Sequence, residues 1–285
     1  MTAALAFKEN IVEGEFAFTE RDFHRIATMV REVSGIHLVE AKATLVYSRL
    51  AKRLRTLGIP SFDAYCKLLE TPEGEAERSR ALAALTTNVT RFFREPHHFD
   101  HLHERALPPL IAAARGGGRV RIWSSACSTG EEPYSIALTL FAMMPDAAQY
   151  DIRILATDID PNVVATARAG IYSNAAVEPI PAAAKDRWMT RHADRWRVND
   201  ELRQIIRFNE LNLIGQWPMK GVFDIIFCRN VVIYFEAATQ DRLWARFNQT
   251  LAPNGRLYVG HSERIDSPAF ESDGLTIYRK AGARA

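Results

Sequence analysis

The residues best suited to approach a bound ligand lie in a loop after the first predicted strand. The apolar run 120–124 leads into the small-residue segment 125–130, and Pro133 stands where a helix would begin. Such a loop lets main-chain N–H groups come close to a ligand. It has one glycine and matches neither G-x-G-x-x-G nor G-K-[ST], so a nucleoside triphosphate is a poor candidate. Taken alone, the loop fits a turn without a ligand about as well.

An acidic residue at the end of the second predicted strand strengthens the case for a cofactor. Asp158 directly follows the apolar run 152–157. In a doubly wound sheet, an acid at this point can accept both hydroxyls of a ribose. A helix N-cap is the alternative role, but Asp160, which precedes Pro161, fits that role better. The loop and Asp158 together favour a cofactor that contains a ribose.

Two further polar segments are candidates for the same site. Arg229 and Asn230 come directly after the apolar run 223–228, at the strand end where such sheets bind ligands. A solvated turn would explain Arg229 equally well, whereas Asn230 and Tyr234 are unusual in so apolar a run. The segment 86–95 mixes polar residues with two phenylalanines at a predicted domain junction. It is interpreted as a strand or loop that covers the cofactor cleft. The alternative is that the two phenylalanines simply pack in the hydrophobic core, and both interpretations can hold together.

Helices with capping signals occupy the first part of the chain. Residues 20–34 repeat apolar side chains at helical spacing, with Thr19 as predicted N-cap and Gly35 as the stop. No convincing strand occurs before residue 86, so 1–85 is predicted to be a small all-helical domain. Its other helices are predicted at about 41–57, from Ser61 onward and at about 75–85.

Beyond a predicted helix at about 96–114 and the glycines 116–118, short apolar runs alternate with helices. This alternation predicts an α/β domain whose mainly parallel sheet is covered by helices on both faces. The tail is predicted to form a hairpin, 270–273 with 275–279, that adds an antiparallel edge strand. The other predicted strands are 120–124, 152–157, 205–211, 223–228 and 256–259.

The domain boundaries follow from these changes of pattern. We predict a helical domain at 1–85, a linker with a connecting helix at 86–115, and the α/β domain at 116–285. The stretch at about 173–207 is long for a single crossover between strands. It is therefore predicted to be an inserted subdomain with a helix and some β-structure.

Composition argues against several classes of protein. A net charge of +2, from 36 basic and 34 acidic residues, disfavours a protein that coats nucleic acid. The sequence has no apolar run long enough for a membrane span, and residues 1–16 are too charged for a signal peptide, so a cytoplasmic protein without membrane insertion is expected. Three scattered cysteines indicate neither disulfides nor structural zinc. His97 and His101 are one helical turn apart but lack a third ligand at a suitable spacing, so no metal is expected.

Five segments of the chain stand in an order typical of one known family. They are Asn-x-Thr-x-x-x-Arg-Glu at 88–95, Ser-Thr-Gly-Glu-Glu-Pro-Tyr-Ser at 128–135, Asp-Ile-Asp at 158–160, Cys-Arg-Asn-Val-x-Ile-Tyr-Phe at 228–235 and Gly-His-Ser-Glu at 260–263. In register, they resemble the chemotaxis receptor methyltransferase family (CheR), and the likeness covers nearly the whole chain. The resemblance implies a Rossmann-like class I methyltransferase sheet with a small N-terminal all-helical domain and an inserted small β-subdomain. It implies S-adenosylmethionine as cofactor, S-adenosylhomocysteine as product, and glutamate methyl esters in the cytoplasmic helical bundle of chemoreceptors.

Carried over residue by residue, the resemblance implies a cofactor site. Glu132 would pair with the amino group at the methionine end of the cofactor, and Asp158 with its ribose. Asn212 and Leu213 would hold the adenine through polar and apolar contacts. The implied cofactor contacts are Asn88, Thr90, Arg94, Glu132, Asp158, Asn212, Leu213, Arg229 and Asn230.

Arg94 and Tyr234 are implied to face the methyl group and the acceptor. A glutamate with a reference pKa of about 4.3 is already ionised at neutral pH, so the reaction needs no general base. The enzyme then has to align the acceptor with the departing sulfur and keep water out. Arg94 can hold the acceptor carboxylate through two hydrogen bonds, and Tyr234 can add one.

A basic stripe on the second predicted helix is the candidate receptor-docking surface. Arg49, Lys52 and Arg53 fall, with Lys42, within an arc of about 100°. Such a stripe is usually a solvated helix face, but the resemblance implies that the helical domain contacts the acidic receptor bundle.

Family members that tether to a receptor C-terminal pentapeptide use a glycine-containing loop, whereas 189–208 here has no glycine. We therefore expect a monomer, independent of that tether, recruited from the cytoplasm to receptor arrays at the inner membrane.

Other functions stay open on the sequence. One is a related methyltransferase in a signalling pathway other than chemotaxis. Another is a non-catalytic module that binds the cofactor and a signalling protein, although the presence of both Arg94 and Tyr234 speaks against it. A nucleic-acid methyltransferase would need a broad basic cleft, and the segment after the fourth strand lacks the Asn-Pro-Pro-Tyr type of amino-methylating enzymes.

Overall fold

The computed structural model describes residues 10–282, and the chain divides after Thr87 into two compact units. We name them the helical unit and the α/β unit. The division lies two residues beyond the predicted end of the helical domain, and 88–115 belongs to the α/β unit. Among residues 10–282, every helix is too short or too polar to cross a bilayer.

The helical unit contains, within residues 10–87, four α-helices, and side-chain caps begin the first and the third. Thr19 and Asp22 form a reciprocal capping box at the start of the first helix, and Gly35, with φ of 77°, ends it. Both predicted ends of this helix are thereby confirmed. Phe18, Tyr47 and Phe62 pack between the helices, with ring centroids 4.4 Å apart for the two phenylalanines. The helices are α1 Glu20–Ser34, α2 Ala43–Leu57, α3 Phe62–Glu70 and α4 Glu75–Leu85.

The α/β unit alternates strands and helices, as the sequence predicted. Its helices are α5 Pro96–His101, α6 Leu107–Arg115, α7 Glu131–Met143, α8 Pro161–Ala169, α9 Ala182–Trp188, α10 Asp200–Arg203 and α11 Ala237–Thr250. Its strands are β1 Val120–Ser124, β2 Ile152–Asp158, β3 Ile171–Ser173, β4 Met189–His192, β5 Arg195–Val198, β6 Ile206–Glu210, β7 Phe223–Cys228, β8 Leu251–Val259, β9 Phe270–Gly274 and β10 Ile277–Lys280.

Seven of the strands within residues 10–282 form one sheet, in the order β6-β2-β1-β7-β8-β10-β9. From β6 to β8 all neighbours are parallel, and Trp123 in β1 pairs with Leu155 on one side and Ile226 on the other. Ile122 and Trp123 are fully buried, as expected for strands covered on both faces. The C-terminal hairpin contributes two strands rather than an edge strand alone, because β10 pairs antiparallel with β8 and β9 pairs with β10.

Strand β8 begins at Leu251, five residues before the predicted start. Pro253, Asn254 and Gly255 hide this part of the strand in the sequence, because they are typical turn residues. The pairing of β7 with β8 is irregular here, and a Cβ atom on Gly255 would lie 2.8 Å from the Leu251 side chain. The backbone therefore passes too close to its neighbours for a larger residue.

The helix predicted at 96–114 is interrupted between α5 and α6. Residues Leu102–Ala106 form a π-helical turn, and Pro108 and Pro109 follow in the first turn of α6. A proline lacks the N–H donor and crowds the carbonyl four residues earlier, so a regular α-helix cannot continue through this point.

A second sheet overlaps the stretch predicted to be an insertion at about 173–207, and its strand β3 already begins at Ile171. It is antiparallel, in the order β3-β5-β4, with α9 before β4 and α10 after β5. Ala193 and Asp194 form the tight turn between β4 and β5, and Ala193 has φ of 54°.

Candidate active site

The loop after β1 is fixed by the two strands beside it. Main-chain N–H groups of Ser125 and Cys127 donate to the carbonyls of Phe227 in β7 and Thr157 in β2, each at 2.8 Å. A Cβ atom on Gly130 would lie 2.8 Å from both Ala167 and Tyr172. The single glycine of the loop is thus required by close packing, in addition to its φ of 98°. Because β1, β2, β7 and β8 are parallel neighbours, the segments that follow them meet at one edge of the sheet.

At this edge Arg229 and Glu132 form a buried ion pair. Nη1 of Arg229 donates to Oε2 of Glu132 at 3.0 Å, and the Ser124 hydroxyl donates to Oε1 of Glu132 at 2.7 Å. Nη2 of Arg229 donates to the main-chain oxygen of Arg94 and lies 3.2 Å from Oε2 of Glu95. We name Arg229, Glu132 and Glu95 the Arg229 cluster. Its members interact strongly because Arg229 and Glu132 are only 6% and 9% exposed.

The Arg229 cluster contains two carboxyl groups and one guanidinium. Burial alone would raise the pKa of Glu95, but the charge of Arg229 and hydrogen bonds from His261 outweigh it and lower that pKa to about 2. Burial raises the pKa of Glu132, with the Arg229 charge acting in the opposite direction. When both carboxyl groups are ionised, two negative charges face one guanidinium, and a cation placed beside Glu132 would favour its ionised form. The cluster suits a ligand that brings positive charge.

Asp158 lies at the end of β2, and its carboxylate accepts hydrogen bonds from two main-chain N–H groups. Its Oδ2 accepts from Ser128 at 2.8 Å, and its Oδ1 accepts from Asp160 at 3.1 Å. A carboxylate offers about four lone-pair positions, so each oxygen can accept one more hydrogen bond. Asp160 caps α8, as predicted, and its Oδ2 also accepts from the Asn88 amide at 2.9 Å. Asn88 makes a second hydrogen bond at this edge, because the Ser128 hydroxyl donates to its main-chain carbonyl at 2.8 Å.

The segment after β6 carries Asn212 and Leu213 to the same edge. The N–H of Leu211 donates to the main-chain oxygen of Asp158 at 2.9 Å. The guanidinium of Arg246, in α11, donates to the carbonyls of Leu213 at 2.8 Å and Gly215 at 2.7 Å. Leu213 is 6% exposed. The two residues proposed for adenine therefore stand in a loop that is held from α11.

Arg94 and Tyr234 lie in two different loops and both are half-buried. Arg94 donates from Nη1 to the carbonyl of Val89 at 3.0 Å, while its own carbonyl accepts from Arg229. Tyr234 ends a short 3₁₀ turn that follows Asn230. Thr90 is also half-buried, in the loop that precedes α5.

Comparison with known proteins assigns the family. The family model described as "CheR methyltransferase, SAM binding domain" matches residues 88–277, and "CheR methyltransferase, all-alpha domain" matches residues 21–86. The chain belongs to the CheR methyltransferase family. It is similar to the "Probable chemotaxis protein methyltransferase" of Rhizobium etli, with 52% identity over 88% of this chain and 96% of that protein.

Two other relatives cover similar shares of the CheR chain. One is "Chemotaxis protein methyltransferase 2" of Pseudomonas aeruginosa, with 42% identity over 94% of this chain and 95% of that protein. Another is the "Chemotaxis protein methyltransferase" of Escherichia coli, with 40% identity over 92% of this chain and 91% of that protein. The protein is accordingly an S-adenosylmethionine-dependent methyltransferase with an α/β fold and an N-terminal all-helical domain.

The geometry of this CheR protein fits what S-adenosylmethionine presents. The cofactor has an ammonium, a positively charged sulfur and a ribose. The carboxylates of the Arg229 cluster complement positive charge, and the two oxygens of Asp158 complement neighbouring hydroxyls. The residues at this edge therefore fit the cofactor.

The predicted docking residues have partners inside the helical unit. Nη1 of Arg49 donates to three consecutive carbonyls at the end of α4, the nearest at 2.7 Å. Arg53 forms a two-pronged ion pair with Glu77, at 2.9 and 2.7 Å, and the Glu77 side chain is 5% exposed. Lys52 is exposed. Two residues expected to face a partner therefore stabilise the fold of this unit, which the helical periodicity could not reveal.

His97 has different neighbours from those the sequence suggested. His101 is hydrogen-bonded to a tyrosine of β8 at 2.9 Å. Instead, His97, His98 and Glu95 bring possible metal-ligand atoms within 4.8 Å of one another. Oε2 of Glu95 already lies 3.2 Å from the guanidinium of Arg229, so this carboxylate is engaged in an ion pair rather than in binding a metal ion. A metal-free site remains our expectation.

Sequence reasoning assigned no role to several residues at this edge. Glu95 and Glu263 each end a motif that resembles the family, and that position was the signal that could have identified them. Ser124 and Arg246 carried no such signal, since their contacts join elements far apart in the sequence.

Proposed function

We propose that the protein transfers the methyl group of S-adenosylmethionine to glutamate side chains in the cytoplasmic helical bundle of bacterial chemoreceptors, giving methyl esters. The observation that carries the proposal is the Arg229 cluster, in which the buried Glu132 and the half-buried Glu95 share one guanidinium at the carboxyl edge of the sheet. The relatives named as chemotaxis protein methyltransferases suggest the acceptor.

The proposed cofactor site extends along the sheet edge from β7 to β6. Glu132 pairs with the ammonium of the cofactor, and Asp158 accepts hydrogen bonds from the ribose hydroxyls. Asn212 and Leu213 contact the adenine. The hydrogen bond from Leu211 to Asp158, at 2.9 Å, supports this order because it holds Asp158 beside the loop that carries Asn212 and Leu213. The whole proposed set is Asn88, Thr90, Arg94, Glu132, Asp158, Asn212, Leu213, Arg229 and Asn230.

The acceptor carboxylate is proposed to meet Arg94 and Tyr234. The bond of Arg94 to Val89 uses one of the five N–H donors of the guanidinium, so others remain for a carboxylate. When bound, S-adenosylmethionine supplies a methyl group on a positively charged sulfur. The acceptor is ionised at neutral pH, so the protein has to hold it in line and exclude water rather than remove a proton.

Docking on the receptor is proposed to involve the basic stripe of α2, that is Arg49, Lys52 and Arg53, and Lys52 is the exposed residue of the three. We propose that the protein acts as a monomer, recruited from the cytoplasm to receptor arrays. We propose further that it does not need a C-terminal receptor pentapeptide. The tight, glycine-free turn at Ala193 and Asp194 supports this independence, which measurable affinity for such a peptide would overturn.

The decisive experiment is to incubate the protein with methyl-labelled S-adenosylmethionine and membranes that contain chemoreceptors. We expect label on the receptors that mild alkali releases, since a carboxyl ester is alkali-labile. Membranes from a strain without receptors are the control. Label that resists alkali, or label on nucleic acid, would contradict the proposal.

A further inference from the structure

Glu263 is a buried carboxylate whose hydrogen bonds are all made with the backbone. It stands four residues after the end of β8 and is 3% exposed. Oε1 accepts from the N–H groups of Val231 and Val232 at 2.8 and 2.9 Å. Oε2 accepts from the N–H groups of Asn230 at 2.8 Å and Gly260 at 2.5 Å. Two carboxylate oxygens thus receive four main-chain donors from two segments.

Three of these donors belong to the turn that presents Arg229, Asn230 and Tyr234 at the sheet edge. Asn230 adopts φ of 57°, a conformation that costs free energy in a non-glycine residue. Without Glu263, the consecutive N–H groups of residues 230–232 would lose their shared acceptor in a buried place. The carboxylate therefore stabilises a turn that is unfavourable by itself.

Gly260 allows the end of β8 to approach this turn. A Cβ atom at this position would lie 2.7 Å from the main-chain nitrogen of Asn230 and 2.8 Å from Oε2 of Glu263. Only a residue without a side chain fits this approach. The contact between the β8 end and the turn is therefore close-packed as well as hydrogen-bonded.

All four hydrogen bonds require the ionised form of Glu263. A protonated carboxyl would direct its O–H toward N–H donors that have no lone pair to accept it. Burial raises the pKa of Glu263, and the four N–H groups oppose this because they favour the charged form. An amide in place of the carboxylate would likewise point an NH₂ group at two N–H donors.

We propose that Glu263 is a positioning residue for methyl transfer, because its carboxylate fixes the turn that places Arg229 in the Arg229 cluster and Tyr234 beside the acceptor. This inference rests on the proposed function. Glu263 acts through the turn and does not touch the cofactor or the acceptor.

The test compares Glu263→Gln and Glu263→Asp with the wild type at a temperature where circular dichroism indicates that each variant is folded. Affinity for S-adenosylhomocysteine is measured by calorimetry, and kcat and KM are measured with receptor membranes. We expect Glu263→Gln to weaken cofactor affinity and to lower kcat/KM, each by about ten-fold or more. Glu263→Asp keeps four acceptor positions on a shorter side chain, so its values should lie between those of the wild type and Gln.

Asp224→Asn is the matched control, because Asp224 lies at the opposite end of β7 and accepts one main-chain N–H, from Arg121 at 2.8 Å. It should lower stability without changing cofactor affinity or kcat/KM. Values for Glu263→Gln within about two-fold of the wild type, or a loss no larger than that of Asp224→Asn, would overturn the inference. If Gln prevents folding, a folded Glu263→Asp with wild-type values would overturn it equally.

The affinity measurement distinguishes this inference from the proposed function. If wild-type protein fails to label receptors, the proposed function fails, yet calorimetry still tests whether Glu263 positions the cofactor site. If the wild type labels receptors and Glu263→Gln does so equally well, only the role of Glu263 fails.

Discussion

Arg229 and Glu132 form a buried ion pair, with Nη1 3.0 Å from Oε2, although 97 positions separate them in the sequence. The pair joins the end of β7 to the first turn of α7. Arg229 also lies 3.2 Å from Oε2 of Glu95, so the guanidinium is shared between two carboxylates. The negative charge left over is the basis for the first prediction.

Glu132→Gln should weaken binding of S-adenosylmethionine by about ten-fold or more, equivalent to about 1.4 kcal/mol. The amide keeps the size of the side chain but removes the charge that is proposed to face the cofactor ammonium. Calorimetric titration with S-adenosylhomocysteine checks this.

Glu131→Gln is the control for Glu132→Gln, because the neighbouring carboxylate is also buried but accepts from the Thr129 hydroxyl, at 2.6 Å, instead of Arg229. Its cofactor affinity should stay near that of the wild type. Equal affinities for both variants would remove Glu132 from the proposed site.

The fold could be predicted where the deciding interactions are local. Thr19 and Gly35 determine the ends of α1 through contacts within a few residues, and most strands of the parallel sheet are rich in apolar residues. The start of β8 was missed because Pro253 to Gly255 favour a turn locally, whereas the strand pairs with β7 on both sides of them, at Leu251 and at Arg256. Tertiary contacts overrode the local preference.

The candidate site was predictable only in part, for the same reason. Motifs identified Glu132, Asp158 and Arg229 as residues of interest, but not the hydrogen bonds that connect them. Glu263 stabilises a turn more than thirty residues away, and Arg53 pairs with Glu77 on another helix. Neither helical spacing nor residue type contains information about such distant partners.

Arg246→Ala should raise the KM for S-adenosylmethionine by about five- to ten-fold while kcat at saturating cofactor stays within about two-fold of the wild type. The guanidinium donates to the carbonyls of Leu213 and Gly215, and its carbon atom lies 3.9 Å from the centroid of the Trp217 ring. Its removal loosens the proposed adenine loop without touching the reacting atoms. Lysine at this position should rescue poorly, because it lacks the planar fork that bridges two carbonyls.

Arg242→Ala is the control for Arg246→Ala, since Arg242 lies one turn earlier in α11, is exposed and donates to Thr239. Its KM should match that of the wild type. The emission of Trp217 gives a second readout, because Arg246→Ala removes the cation over its ring and Arg242→Ala does not. An unchanged KM in Arg246→Ala would separate this arginine from cofactor binding.

Charge reversal on α2 should have two different effects. Arg53→Glu places a second carboxylate beside Glu77, whose side chain is 5% exposed, and should destabilise the helical unit by about 3–5 kcal/mol. Lys52→Glu changes an exposed side chain, so stability should change by no more than about 0.5 kcal/mol. If α2 docks on an acidic receptor surface, Lys52→Glu should reduce receptor methylation, with wild-type cofactor affinity.

Lys67→Glu provides the control for Lys52→Glu, because Lys67 is 69% exposed on α3 and lies outside the basic stripe. Thermal unfolding followed by circular dichroism measures stability, and receptor methylation is measured at low and high salt. The difference in receptor methylation between Lys52→Glu and the wild type should shrink at high salt, where exposed charges are screened. Equal receptor methylation by Lys52→Glu and Lys67→Glu at low salt would exclude Lys52 from docking.

The stability of the α/β unit should fall between about pH 6.5 and pH 5 because of His98. Burial, the charge of Arg229 and the neighbouring His97 lower the pKa of His98 to about 3, and the ring is fully buried. The unfolded chain takes up a proton near the reference pKa of about 6.5, whereas the folded chain does not. The contribution of neutral His98 is therefore fully present above about pH 6.5 and is lost toward about pH 3, at up to about 1.4 kcal/mol per pH unit.

Urea unfolding at about pH 7, 6 and 5 measures this loss through tryptophan fluorescence, which reports on the α/β unit because all five tryptophans lie beyond residue 87. His98→Gln should lower stability at neutral pH but flatten its dependence on pH. Thr276→Ala removes the hydroxyl that lies 2.9 Å from Nε2 of His98 and leaves the imidazole in place. Its unfolding free energy should therefore depend on pH as steeply as that of the wild type. If the unfolding free energy of His98→Gln depends on pH as steeply as that of the wild type, the pH dependence belongs to another group, such as His101, whose pKa is also lowered by burial.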